Sequence, residues 1–212
     1  MDLTHLRQEY VDRPLDLDHV DESPFRQFER WYREASDAQL LEPNAMTLAT
    51  VDAEGCPSQR TVLLKYFDND GFVFFTNYGS RKASQIEENH HVSVLFPWIP
   101  LQRQVEINGS ASRISTAETL KYFVKRPRGS QLGAWVSQQS QVITSRSLLE
   151  AKMDELKRKF SSGEIPVPSF WGGYRISPTR FEFWQGRANR LHDRICYRPS
   201  DADRWDRVRL SP

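Results

Sequence analysis

The sequence predicts an α+β fold, with an antiparallel β-barrel core and helices placed around it. Two observations lead there. Residues 45–113 contain short runs rich in β-branched and aromatic residues, separated by turn signals such as Asp52-Ala-Glu-Gly55 and Asp68-Asn-Asp-Gly71. Before, within and after that region lie segments whose apolar residues recur at helical spacing. Strands at this spacing point to a barrel or sandwich, and the interspersed helices complete the class.

Residues 1–20 are polar, carry Pro14 and read as an arm, leaving 21–212 as a single domain. A helix is expected over 23–39: Ser23 can cap it, Pro24 fits the first helical position, and Phe28, Trp31 and Ala35 share a face. Strands follow at about 46–51, 60–67, 71–76, 92–96 and 103–111. A short helix interrupts them at about 80–89, with Ser80 at its N-cap. Another begins at Ser115, where Ser115 and Glu118 form a capping box and Leu120, Phe123 and Val124 supply the apolar face. It must stop before Pro127. In a third helix, over 145–160, Leu149, Met153, Leu156 and Phe160 repeat as a packing face. Pro166 and Pro168 close the helical part. Strands at about 171–177, 180–185 and 192–198 follow, with a last one near 205–210.

Composition narrows the function classes. With 38% hydrophobic and 27% charged residues the chain has the balance of a soluble globular protein. No apolar run approaches the roughly 20 residues that span a bilayer, and the polar N-terminus lacks a signal-peptide stretch, so a cytoplasmic location is expected. A net charge of +1 gives no global pull toward nucleic acid or anionic membrane. Cys56 and Cys196 stand apart without a disulfide or zinc pattern. Glycine-rich nucleotide loops and the G-x-S-x-G elbow are missing. The adjacent His90 and His91 diverge on a helix or a strand, which is poor geometry for a shared metal. Any bound phosphate must therefore be held by local side-chain cations and helix ends.

Four constellations could do this. In a strand, Arg190, His192 and Arg194 project to one side, and their mutual repulsion calls for an anion or a carboxylate there, or simply a solvated face. Trp184 and Gln185 just upstream add an aromatic wall beside those cations. At Thr76-Asn-Tyr-Gly-Ser-Arg-Lys82 the chain turns into a helix whose first turn carries Arg81 and Lys82, an unfavourable place for cations unless a phosphate meets them. Tyr122 and Arg126 are i, i+4 neighbours, and Ser130, after the Pro127-Arg-Gly129 turn, can fold back beside them. Finally, Arg60 and Lys65 are five apart, so regular alternation puts them on opposite faces; either a bulge intervenes or they serve two different parts of a site.

Together these segments resemble the pyridoxine/pyridoxamine 5′-phosphate oxidase family over nearly the whole chain. The most specific pieces are Arg60-Thr-Val-Leu-Leu-Lys65, Phe75-Thr-Asn-Tyr-Gly-Ser-Arg-Lys82, Pro127-Arg-Gly-Ser-Gln-Leu-Gly-Ala-Trp135, Ser169-Phe-Trp-Gly-Gly173 and Phe183 through Arg194. The resemblance implies an FMN-binding split barrel, a homodimer, and FMN in the cleft between subunits. It assigns to FMN, from one subunit, Arg60, Thr61, Val62, Leu63, Leu64, Lys65, Phe75, Thr76, Arg81 and Lys82. Gln104, Gln139, Ser140, Trp184 and Arg194 complete that site, some of them from the other subunit. Lys65, Tyr122, Arg126 and Ser130 take the substrate phosphate. Arg190, Leu191 and His192 hold the pyridine ring, with Arg190 and His192 the catalytic pair, and Arg7 and Tyr10 of a mobile arm close over it.

The implied reaction moves a hydride from C4′ of pyridoxine or pyridoxamine 5′-phosphate to the flavin. It yields pyridoxal 5′-phosphate, with ammonia from the amine, and dioxygen becomes hydrogen peroxide. Arg190, an always-charged guanidinium, suits positioning and charge stabilisation better than proton abstraction. Phe75 stands where some relatives carry Tyr, and 187–189 reads as a variable loop tip. Three other readings are a related split-barrel flavoprotein, a non-catalytic flavin or pyridoxal-phosphate carrier, and an RNA-binding module. The last is prompted by Lys121-Tyr-Phe-Val-Lys-Arg-Pro-Arg128 and disfavoured by the near-zero charge.

Overall fold

The computed structural model describes residues 1–3, 9–10, 14–137, 139–200 and 204–212. Its first helix, α1 (Pro24–Asp37), begins where Pro24 pre-sets the backbone dihedral. Ser23 holds the N-cap position but makes no side-chain cap; its N–H donates to Asp21 Oδ1 at 2.9 Å. Phe28, Trp31 and Ala35 are buried on one face, as their spacing predicts. Phe28 meets Phe72 and Phe96 at 4.9 Å between ring centres, and Trp31 meets Phe183 at 5.3 Å. The helix thus seals one opening of the sheet.

That sheet has nine antiparallel strands: β1 (Ala45–Val51), β2 (Pro57–Leu63), β3 (Tyr66–Asp68), β4 (Gly71–Asn77), β5 (His91–Trp98), β6 (Arg103–Arg113), β7 (Trp171–Gln185), β8 (Asp193–Pro199) and β9 (Trp205–Leu210). The order is β2-β1-β5-β6-β7-β4-β3, with β8 and β9 branching from β7. One edge of β7 explains the branch. Its first part, Trp171 to Ile176, pairs with β4, and its last part, Phe181 to Gln185, pairs with β8. The sheet therefore splits and curls into a split barrel.

The two strands expected at 171–177 and 180–185 are in fact one. Pro178 falls opposite Gly109, where the register with β6 shifts, so the strand bends there without ending. A Cβ on Gly109 would lie 2.4 Å from the Ser177 carbonyl oxygen, so the bend needs glycine.

The helices differ from expectation in three places. Between α3 (Thr116–Phe123) and α5 (Arg146–Lys159) runs an unforeseen helix, α4 (Arg128–Val136), which starts just after Pro127 where a turn was expected. Its Leu132 and Val136, one turn apart, are buried with Phe123, Leu156, Ile165 and Trp171 in a second apolar cluster. The capping box of Ser115 and Glu118 is present, yet Leu120 and Val124 are exposed and only Phe123 of the expected face is fully buried. At the chain start, Leu15 and Val20 are buried in the main core, so the polar-arm expectation for 1–20 does not extend to these two residues. Among the described residues no helix is long and apolar enough to cross a membrane.

Candidate functional site

A cleft of about 830 Å³ opens where β2, β4, α2 (Arg81–Glu88), α3 and α4 converge. It gathers Arg60, Thr61, Val62, Leu63, Lys65, Phe75, Thr76, Lys82, Gln139, Tyr122, Arg126 and Ser130, all expected to be site residues. Arg60 and Lys65 share it because strand β2 ends at Leu63, and alternation no longer applies beyond that point. Leu64 is the exception in this run. Its side chain is buried in the barrel core, which leaves only its backbone for any ligand.

The cleft is strongly cationic. Arg60, Lys65, Lys82, Lys125 and Arg126 line it, and no Asp or Glu among the described residues does. Arg60 is braced from behind, donating to the Leu48 carbonyl, Thr50 Oγ1 and Gln85 Oε1. Lys82 is buried, and its ammonium donates to Gln139 Oε1 at 3.0 Å and Thr76 Oγ1 at 3.2 Å. Burial, helped by Arg60, pushes Lys82 down to about 8. Burial and then Arg126 lower Lys65, and burial lowers Arg126 itself. Each shift records first the loss of water around a positive charge, and for Lys65 the opposing pull of Glu42 does not cancel it.

Arg126 lies over the Trp171 ring at 4.6 Å, and its Nη1 is buried with no hydrogen-bond partner. A buried guanidinium N–H without an acceptor is costly, and a bound anion removes that cost. Beside it, Phe75 stacks on Tyr122 at 4.0 Å and on Trp171 at 5.2 Å. Trp171 was missed as a lining residue, although it lies within the Ser169 to Gly173 motif; Lys125 was missed too.

At the start of α2, Ser80 occupies the N-cap but bonds nothing with its side chain, and its Oγ is buried without a partner. The hydroxyl of Ser140 instead accepts the Arg81 N–H at 3.2 Å. Gln139 and Ser140 thus reach this helix end from the same chain. Arg81 itself is exposed and does not line the cleft.

The remaining expected residues form a second constellation. Gln104, Trp184 and Arg194 stand in register across β6, β7 and β8, so they share one face of the sheet. Arg194 donates through Nε to Glu182 Oε1 at 2.7 Å and through Nη2 to Glu182 Oε2 at 3.1 Å. The His192 ring lies 4.6 Å from Trp184, and Tyr10 sits edge-on to both, at 5.5 and 5.9 Å. Gly186 makes room for Tyr10, since a Cβ there would lie 2.9 Å from the Tyr10 ring. Arg7 lies outside the described residues.

Strand alternation does not place Arg190 here. Arg190 ends a short 3-10 turn, Ala188–Arg190, with φ +62°, and only Arg194 of the expected triplet lies in a strand. Arg190 and Leu191 are exposed next to the half-buried His192. The Arg187 N–H donates to His192 Nδ1 at 3.1 Å, which leaves the proton on Nε2 in the neutral ring. Burial, then Arg190, lowers the His192 pKa and favours that neutral form.

Trp171 in the cleft and Trp184 in this second group lie thirteen residues apart on one strand, a contour of about 43 Å at extended spacing. The two groups thus lie toward opposite ends of one strand.

Fold and cleft together define a split-barrel protein built to hold a flat, phosphorylated ligand. The chain belongs to the pyridoxamine 5′-phosphate oxidase family, whose model matches residues 32–160. Residues 171–212 match the pyridoxine 5′-phosphate oxidase C-terminal dimerisation region. The chain is 64% identical to the pyridoxine/pyridoxamine 5′-phosphate oxidase of Crocosphaera subtropica and 60% identical to that of Aliarcobacter butzleri, over all of each protein in both cases. Among solved structures, PhzG from Burkholderia lata, in complex with tetrahydrophenazine-1-carboxylic acid, superposes with a TM-score of 0.86 at 30% identity. That match covers 92% of this chain and 95% of PhzG. A pyridoxamine 5′-phosphate oxidase-related, FMN-binding protein from Nostoc punctiforme shares the fold, with a TM-score of 0.73 at 18% identity over 91% of this chain and all of its own.

Proposed function

We propose that this chain is an FMN-dependent oxidase that converts pyridoxine or pyridoxamine 5′-phosphate to pyridoxal 5′-phosphate, working as a homodimer. The observation that carries the reading is the cleft: five cations with no carboxylate lining it among the described residues, beside a stack of aromatic rings. That donor set fits FMN and a phosphorylated substrate together. Arg60, Lys82 and the α2 start would hold the FMN phosphate, while Lys65, Tyr122, Arg126 and Ser130 would hold that of the substrate. The match of 171–212 to a dimerisation region supports a two-fold pair in which the Trp184 and Arg190 group of one subunit faces the cleft of its partner.

When bound, FMN supplies the two-electron acceptor, and dioxygen takes those electrons on to hydrogen peroxide. The protein's own work is orientation. Phosphate contacts fix one end of the substrate, and Arg190 with the neutral Nε2–H of His192 holds the pyridine ring at the other. With Nδ1 already accepting and Nε2 protonated, His192 acts as a hydrogen-bond donor, not as a base. The tetrahydrophenazine carboxylate bound by PhzG makes a related flavoprotein with another substrate the competing reading. The phosphate-matched set of Lys65, Tyr122, Arg126 and Ser130 favours the vitamin.

The test is turnover of pyridoxine 5′-phosphate under air with FMN supplied. Formation of pyridoxal 5′-phosphate and peroxide is expected; a yellow protein without turnover would refute the oxidase reading.

FMN affinity should also fall as pH rises from 7 to 9. Lys82 in the ligand-free protein loses its proton at about 8, below the ordinary lysine value, and a phosphate dianion favours the charged form. Below 8 the ammonium is already present. Above 8 binding must take up a proton, so affinity drops by as much as about tenfold per pH unit at the limit. Fluorescence titrations of FMN at pH 7 and 9 read this directly, and Lys82→Met should flatten the profile. Equal affinities at both pH values in the wild type would refute the role of Lys82.

A further inference from the structure

The cleft contains one cation that neither the sequence motifs nor the proposed phosphate contacts use. Lys125 follows the last turn of α3, next to Arg126, and lines the cleft. A lysine at a helix C-terminus ordinarily satisfies the final carbonyls. Here that work is done elsewhere: Gln131 Nε2 donates to the carbonyls of Phe123 at 3.1 Å, Val124 at 3.3 Å and Arg126 at 3.1 Å. The Lys125 side chain is exposed and has no ion pair or hydrogen bond among the described residues. The same cleft is lined by Lys65, Arg126 and Ser130, and no described carboxylate lies among its lining residues. An exposed ammonium on the wall of a cleft of like charges adds to the positive field that draws a multiply charged anion.

We propose that Lys125 is a specificity-determining residue, the outer cation of the substrate-phosphate subsite, which selects phosphomonoester dianions by capturing them at the cleft mouth. This rests on the substrate assignment above. Because Lys125 is exposed, its contribution is that of a solvent-screened contact, a factor of about two to five in affinity. It acts on encounter and binding, before the ring reaches Arg190 of the partner subunit, so kcat should not change.

The experiment compares wild type with Lys125→Ala, Lys125→Gln and Lys125→Arg. The Ala and Gln variants should raise KM for pyridoxine 5′-phosphate about two- to fivefold at unchanged kcat. They should also flatten the fall of kcat/KM with added salt, and the Arg variant should restore both. Calorimetric titration of the FMN-loaded proteins with pyridoxal 5′-phosphate should show the same loss of affinity. Unchanged KM, a fall in kcat, or an Arg variant no better than Gln would each overturn the proposal. If wild type fails to turn over pyridoxine 5′-phosphate, the parent reading fails on that result alone. Titration with inorganic phosphate then decides for Lys125: weaker binding in the Ala variant upholds it, and equal binding overturns it.

Discussion

Arg190→Ala is expected to lower kcat/KM for pyridoxine 5′-phosphate by about 10²–10³-fold, the range for losing one preorganised charged donor at a reacting centre. FMN affinity should stay within about twofold of wild type, because the proposed FMN phosphate contacts lie in the cleft and not in the 188–190 turn. Arg190 suits a ligand role because the protein itself makes little use of it. The residue is exposed, adopts φ +62°, and bonds to nothing among the described residues. A positive φ on a non-glycine residue costs free energy, and the turn persists because its surroundings hold it. Neighbouring His192 does not replace the lost charge, since burial, the larger cause of its lowered pKa, persists in the variant and Nδ1 still accepts from the Arg187 N–H. Steady-state kinetics with a parallel flavin-quenching titration would test this. Near-normal turnover, or loss of flavin in step with activity, would remove Arg190 from the catalytic role.

The second large effect is expected at Arg126, where stability and function should move in opposite directions. Arg126→Met should weaken binding of pyridoxal 5′-phosphate by about 10–150-fold, given roughly 1.5–3 kcal/mol for hydrogen bonds to a charged group. The ligand-free protein should be equally stable or more stable. Removing the partnerless Nη1 relieves a buried donor worth about 1–3 kcal/mol. Loss of the contact with Trp171 costs about 0.5–2 kcal/mol, and a methionine sulfur at the same ring returns about 0.3–1.5 kcal/mol. The balance of the mid-range values falls on the stabilising side by about 1.5 kcal/mol, visible in thermal melts of the apoprotein. A clearly destabilised variant would mean that Arg126 holds the α3–α4 corner together and does not await an anion.

Much of this molecule was legible in its sequence because local chemistry and tertiary packing agree there. The Ser115–Glu118 capping box, the face of Phe28, Trp31 and Ala35, and four of the five expected strands of 45–113 form as their patterns predict, while the fifth, 60–67, breaks at 64–65 into β2 and β3. The misses arose where a local signal was outvoted. Pro127-Arg-Gly129 has turn composition, yet Leu132 and Val136 bury enough apolar surface against Trp171 and Leu156 to carry a helix through it. Pro178 read as a strand end, but at a bulge opposite Gly109 the ladder needs no N–H from it. Alternation was extended past the end of β2 and back before the start of β8. It therefore left open whether Arg60 and Lys65 meet, and it aligned Arg190 with Arg194 although Arg190 lies in the turn before β8. Lys125 was read only within the basic stretch Lys121 to Arg128, because its neighbours Tyr122, Arg126 and Ser130 already accounted for the phosphate.

The length of β7 has a consequence for inheritance. With the cleft wall at Trp171 and the aromatic group at Trp184 on one rod, each subunit of the proposed pair lends its far end to a pocket it does not own. A subunit crippled only at Arg126 and another crippled only at Arg190 would between them assemble one sound pocket and one doubly broken one. Alleles silent alone would then rescue each other, and the severity of any single lesion would depend on the copy it is paired with.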